Sequence, residues 1–494
     1  MRSLKSGLDD AFNPETVADV GASSKRGYFF LRSFLRFKGR VYAVNPGRSE
    51  IPELGLKVYP RVTDIPDKVD FVFVETPAHT VPGIIEDCVK KGVKLVAIFT
   101  AGFSETGRKE GIELEEKIKE IIRGSKTRVL GPNCLGLYNP RIGLAWRANL
   151  PLDAGDVAFI SQSGGLANLV ILYGHTRGLR FSKVVSFGNA CDIGLEELLL
   201  YFKDDPETRV VAAYIEGIKD AKGLAETFLE VSLKKPLIVW KGGRSEDGAR
   251  ACASHTGSLA GSHRIWSAVF RQTGVVEVKT LEELVDTALT FSFLPPIRGN
   301  SVGSISISGG ASVTISDLLS EAGFRVPPLR EETIRLIDEE VRRVYPEGIS
   351  VINPVDVSAA YYNPGVVSTV IDVMTGDPNI DLIIFDLPVM YLAYSWRQSD
   401  AFRGEFMEAL IKSGKNAIEK GKPFVVVLSP VGDEALWVRL RDTLVKEKIP
   451  VYPDMRRTCD ALRNAKSYYE FLEKRRKAES HLADELEAPL LKVT

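Results

Sequence analysis

A chain of 494 residues with 44% hydrophobic content is long enough for about three domains, each with its own core. Its 64 basic and 65 acidic side chains nearly cancel, which argues against nucleic acid or an anionic membrane surface as the partner. Cys88, Cys134, Cys191, Cys252 and Cys459 are scattered with no CxxC or Cys/His spacing, so no metal site and a reducing, cytoplasmic setting are expected. The N-terminus lacks the apolar core of a signal peptide, and no run reaches membrane-spanning length. Only Gln162, Gln272 and Gln398 are glutamines, a thermophile-like bias.

Short β-branched runs alternate with helical patterns along the chain, the signature of an α/β protein with parallel sheets. The first cycle predicts strands at Thr16–Val20, Arg40–Val44, Phe71–Glu75, Leu95–Phe99 and Arg128–Leu130. A second cycle predicts Asp156–Ile160, Ser182–Phe187, Val210–Glu216, Pro236–Trp240 and Val275–Val278. After the Leu294–Asn300 punctuation come Val302–Ser308, Leu382–Leu387, Phe424–Leu428 and Pro450–Tyr452. The expected domains are 1–150, 151–297 and 298–470, followed by a loose charged tail over 471–494.

Each cycle opens with a strand, a small-residue turn and a helix start, where unpaired N–H groups and the helix dipole favour an anion. The first turn holds Gly21, Ala22, Ser23, Lys25 and Arg26. It is not a G-x-G-x-x-G fingerprint, which disfavours a nicotinamide cofactor. The second turn holds Ser161, Ser163, Gly164 and Gly165, and the third Gly309, Gly310 and Ala311. Taken singly, each is either a phosphate cradle or an ordinary N-cap.

His255 stands in Ala253–Gly261, a stretch of small residues that predicts a mobile loop whose imidazole can carry a group from one site to another; a capping or surface histidine is the competing role. Glu216 closes an apolar strand and precedes Gly217, so it is placed at the carboxyl end of the sheet, where ligands of open α/β sheets bind. It can orient an imidazole and stabilise its positive charge; a helix cap or surface ion pair is the competing role.

Taken in order, these motifs, with Asn45-Pro46, Glu75-Thr76-Pro77-Ala78, Thr100-Ala101-Gly102, Gly131-Pro132-Asn133-Cys134 and Asn353-Pro354-Val355-Asp356, resemble the α subunit of the succinyl-CoA synthetase superfamily. More closely, over roughly residues 10 to 470, the chain resembles the archaeal-type α subunit of ADP-forming acyl-CoA synthetases. The resemblance implies a Rossmann-like CoA-binding domain followed by two flavodoxin-like CoA-ligase domains. It implies reversible conversion of acyl-CoA, ADP and phosphate to acid, CoA and ATP, with His255 phosphorylated and Glu216 orienting it. Phosphate would lie at Ser161, Ser163, Gly164, Gly165, Gly309, Gly310 and Ala311. CoA would lie at Gly21, Ala22, Ser23, Lys25, Arg26, Asn45, Pro46, Thr76, Pro77, Thr100, Ala101 and Asn133. Mg²⁺ and ADP are expected on a separate ATP-grasp β subunit, in an α₂β₂ assembly. The histidine motif here is Ser-His-Thr-Gly-Ser, unlike the Gly-His-Ala-Gly-Ala type of succinyl-CoA synthetase, which turns the reading away from a dicarboxylate ligase. A non-catalytic CoA-sensing scaffold is the alternative of another class.

Overall fold

The computed structural model describes residues 7–218, 221–256, 262–348, 351–393 and 399–487; the side chains of 253–256, 359 and 481–487 fall outside that description. Its strands form three sheets, and the chain divides at Leu284/Val285 into two compact units, the first holding two sheets and the second one.

The first sheet is built from β1 (Thr16–Val20), β2 (Arg40–Val44), β3 (Glu50–Ile51), β4 (Leu56–Tyr59), β5 (Phe71–Val74), β6 (Leu95–Ile98) and β7 (Arg128–Leu130). The strand order is β3-β4-β2-β1-β5-β6-β7, with only β3 antiparallel to its neighbour. Unbroken apolar runs such as Phe71–Val74 are what strands covered on both faces require. One face packs Val20, Val72, Val74 and Ile98 against Ile85, Cys88 and Ile118 of the flanking helices. The other face gathers Phe30, Phe34, Phe73 and Phe99 in tilted, edge-on and stacked ring contacts. The order reverses at β1, so the crevice above β1, β2 and β5 lies at a topological switch point.

The second sheet contains β8 (Gly136–Tyr138), β9 (Ala154–Ser161), β10 (Phe181–Ser186), β11 (Val210–Ile215), β12 (Leu237–Lys241) and β13 (Val276–Val278), in the order β13-β12-β11-β9-β10-β8. Strand β8 pairs antiparallel with β10, so a segment counted with the first predicted domain completes the second sheet. Inside it, Lys183 is buried with Asp205 at 3.1 Å and Glu207 at 2.8 Å.

The second unit has the fully parallel sheet β14 (Val302–Ser306), β15 (Val355–Asp356), β16 (Leu382–Asp386), β17 (Phe424–Val427) and β18 (Val451–Tyr452), ordered β15-β14-β16-β17-β18. The helix Leu281–Phe293, expected with the preceding domain, packs within this unit from Val285 onward. Thr290 hydrogen-bonds Tyr452 at 2.7 Å, Arg457 pairs with Asp286 at 2.6 Å, and Asn464 donates to Thr287.

The loose tail expected from residue 471 is instead continuous helix, Met455–Glu487. Its Lys, Arg, Glu and Ala content favours helix, and the pairs Lys466–Glu470 and Lys477–Glu473 sit at i, i+4 spacing.

Candidate active site

At the switch point of the first sheet, a cavity of about 720 Å³ is lined by Gly21, Ser23, Lys25, Arg26, Asn45, Pro46, Thr76 and Pro77, all predicted for CoA. Such a volume suits a drug- or cofactor-sized ligand. Gly21 holds φ +108°, and a Cβ there would come within 2.7 Å of Thr76 Cγ2 and 3.2 Å of the Glu75 backbone. Only glycine lets the two loops meet so closely. Ser23 caps the next turn by accepting from the Lys25 N–H, and Asn45 Nδ2 ties it to β2 by donating to Ala22 O at 3.2 Å.

Ala22, Thr100, Ala101 and Asn133 do not line that cavity. Ala22 is buried against Tyr28, Leu31 and Ala43. Thr100 Oγ1 donates to Thr76 O at 2.6 Å, and Asn133, at φ 58°, donates its N–H to Thr100 O at 3.0 Å. These residues fix the cavity rim from behind. The loop that follows is pinned by Glu105, whose carboxylate accepts from the N–H groups of Gly102 at 2.6 Å and Phe103 at 3.1 Å and from Asn189 at 2.5 Å.

Four polar lining residues were not predicted for the site: Arg61, Asp87, Glu75 and Thr80. Arg61 Nε donates to Asp87 Oδ2 at 2.9 Å, which sets the guanidinium over the cavity wall. Glu75 stood in a quoted motif, yet nothing local marks its carboxyl as buried.

In the second sheet, Ser163 is the N-cap of helix Gly164–Thr176, its Oγ accepting from Leu166 N at 3.3 Å. Ser161 Oγ, in turn, donates to Ser163 O at 2.6 Å and receives the Ser163 N–H. A Cβ on Gly164 would meet Leu135 Cγ at 2.9 Å, whereas beside Gly165 only Ser163 Oγ comes near, at 3.8 Å. Independently, in the second unit, Ser308 caps helix Gly309–Glu321 by accepting from Ala311 N, and a Cβ on Gly310 would meet nothing within 4 Å. The two helix starts are thus open at Gly165 and at Gly310, as an anion-binding turn requires.

Glu216 is buried directly after β11, and its N–H and that of Gly217 are both held by Gln162 Oε1, at 2.8 and 3.2 Å. Lys241 Nζ donates to Glu216 O at 2.7 Å. Burial holds Lys241 below the usual lysine range, and burial together with the Glu216 carboxylate, which hydrogen-bonds the phenol, raises Tyr214. Burial and the Glu216 charge also raise the Cys252 thiol, against the pull of Lys241.

Cys252 belongs to helix Glu246–Thr256, and this corrects the expected loop: Ala253–Thr256, His255 included, continue the helix. Glu246, Ala249, Arg250, Ala251 and Ala253 are strong helix formers, and they outweigh Gly248. The side chain of His255 and residues 257–261 lie outside the described residues. The helix also lies against the turn Ser104–Thr106 of the first sheet.

Fold and site together define a CoA-binding Rossmann-like domain followed by CoA-ligase-type flavodoxin-like domains. Residues 15–140 match a CoA binding domain, and residues 154–291 match a succinyl-CoA ligase like flavodoxin domain. ADP-forming acetate–CoA ligase II subunit alpha of Pyrococcus furiosus is 36% identical over 451 residues, 90% of this chain and 94% of that subunit. Isoenzyme I subunit alpha of the same organism is 36% identical over 92% of this chain and 96% of its own length. The ADP-forming acetate–CoA ligase of Methanocaldococcus jannaschii is 40% identical over 70% of this chain, and the match spans about half, 48%, of that relative. A dinucleotide-forming acetyl-coenzyme A synthetase from Ca. Korarchaeum cryptofilum, solved with phosphate and ADP, superposes with a TM-score of 0.81 at 32% identity, over 95% of this chain and 98% of that one. The chain belongs to the family of ADP-forming acetate–CoA ligase α subunits, acid–thiol ligases. Among the described residues no helix is long and apolar enough to cross a membrane.

Proposed function

We propose that this chain is the α subunit of a cytoplasmic ADP-forming acyl-CoA synthetase that works reversibly on acetyl-CoA or a similar thioester. The observation that carries this reading is the burial of Glu216 at the carboxyl end of β11, beside β12, the strand that leads into the helix bearing His255.

CoA occupies the cavity over β1, β2 and β5, where Lys25, Arg26 and Arg61 face its phosphates and Asn45, Pro46, Thr76 and Pro77 shape the walls. Phosphate binds at Ser161, Ser163, Gly164 and Gly165; Gly309, Gly310 and Ala311 form a second anion-binding turn of the same kind. A phosphate oxygen attacks the thioester carbonyl, the C–S bond breaks, and CoA leaves as thiolate, giving an acyl phosphate. An imidazole nitrogen of His255 then attacks phosphorus and releases the carboxylate. Glu216 fixes the tautomer and stabilises the imidazolium-like charge. The phosphoryl group passes to ADP, held with Mg²⁺ on an ATP-grasp β subunit in an α₂β₂ assembly. The P. furiosus relatives are named as subunits alpha and span nearly their full length here, which supports a separate partner.

The test is reconstitution with a β subunit and assay of acid-dependent CoA thioester formation from ATP. Turnover with acetate and not succinate supports the reading; CoA binding without any turnover returns the chain to a scaffold.

A further inference from the structure

Asp19 on β1 is fully buried, and among the described residues neither of its carboxyl oxygens has a hydrogen-bond partner. Glu75 follows β5 and is held beside β1 by its N–H bond to Val20 O at 3.0 Å. Its side chain is 2% exposed and lines the cavity; Oε1 is unpartnered, and Oε2 lies 3.5 Å from Arg26 Nη1. Two acids buried this way cannot both carry charge cheaply. Burial, then the neighbouring Glu75, lifts Asp19 well above the carboxylate range, and burial lifts Glu75 to about 7 against the pull of Arg26. The other charged groups on the cavity wall are Lys25, from the turn after β1, and Arg61 with Asp87, from the β4 loop and helix Val81–Lys91.

An ionised Glu75 would set negative charge beside an incoming phosphate and keep Arg26 engaged. A neutral Glu75 offers an O–H donor and leaves Arg26 to the ligand. Both effects act in the same direction, and a buried neutral acid is a competent donor.

We propose that Glu75 is a positioning residue that works as a neutral carboxylic acid, donating a hydrogen bond to bound CoA and releasing Arg26 to a phosphate, so that CoA binding takes up a proton. This rests on the reading that CoA occupies the cavity.

Calorimetry of the full chain with CoA, near pH 7.5 by design and in two buffers of different ionisation enthalpy, measures proton uptake without any variant. CoA's own phosphomonoester, with a pKa of about 6, can only release protons on binding as a dianion, so uptake has the opposite sign to that background. Net uptake is expected, with the Kd rising about tenfold per pH unit above 7. Glu75→Gln is expected to abolish the uptake and bind at high pH as tightly as the wild type does at low pH. Wild-type binding with no uptake, or an unchanged pH profile in Glu75→Gln, overturns the role of Glu75 alone. No CoA binding by the wild type at any pH overturns the CoA assignment and this proposal with it.

Discussion

Gln162 Oε1 accepts the N–H groups of both Glu216 and Gly217, so the residue just before the N-cap Ser163 clamps the turn that presents Glu216. The turn Ser161–Gly165 and Glu216 are therefore tied together. Gln162→Ala leaves two backbone donors unmet and lets Glu216 drift. A misplacement of about 1 Å costs roughly 10²-fold in rate. We expect kcat to fall by about that factor in the reconstituted enzyme, with KM for CoA unchanged; a change confined to KM contradicts this.

Glu216→Gln keeps the shape and removes the charge. Loss of the orienting carboxylate of a histidine site costs on the order of 10⁴-fold in rate. The variant is expected to fold normally and to form phosphoenzyme slower by about that factor in quench-flow. Wild-type phosphoenzyme kinetics would return Glu216 to a purely structural part.

Much of this was legible in the sequence because the relevant signals are local. Strands buried on both faces, such as Val210–Ile215 and Phe424–Val427, read as unbroken apolar runs, and their observed ends fall within two residues of expectation. The caps at Ser163 and Ser308 follow from a serine before two small residues. Glu50–Ile51, Gly136–Tyr138 and Val355–Asp356 are too short to show a period, so they went unseen. Arg61 and Asp87 reach the cavity only through tertiary folding, and no spacing announces it. The helical course of Ala253–Thr256 was masked by the small residues that follow.

Lys183 gives a stability test away from the chemistry. Its ammonium and the Asp205 carboxylate are almost fully buried, and Thr208 Oγ1 also donates to Asp205, at 2.7 Å. Lys183→Met fills the space but strands a buried anion, a change that costs about 3–5 kcal/mol. Urea unfolding is expected to show a loss of that size, and Lys183→Met with Asp205→Leu to recover most of it. A single variant as stable as the wild type contradicts the account.

Asp19 and Glu75 make stability depend on pH in a defined sense. Each carboxyl is raised in the folded state, so between the unfolded and folded values the native chain binds more protons than the unfolded one. Stability therefore falls as pH rises from the ordinary Glu value of 4.5 and, for Glu75, levels off above about 7. Asp19→Asn removes one of the two acids and is expected to raise Tm at pH 8 and flatten the profile between pH 5 and 8 in calorimetric scans. A lower Tm at pH 8 would contradict this.

The central claim is that His255 carries the phosphoryl group, and intact-mass analysis tests it directly. The chain, with its partner subunit, is incubated with ATP and Mg²⁺ and analysed under alkaline conditions that preserve phosphohistidine. The account predicts one added phosphoryl group on this chain, mapped to His255, lost on acid treatment and absent from His255→Ala, which still binds CoA. A phosphoryl group of equal yield on His255→Ala would contradict it.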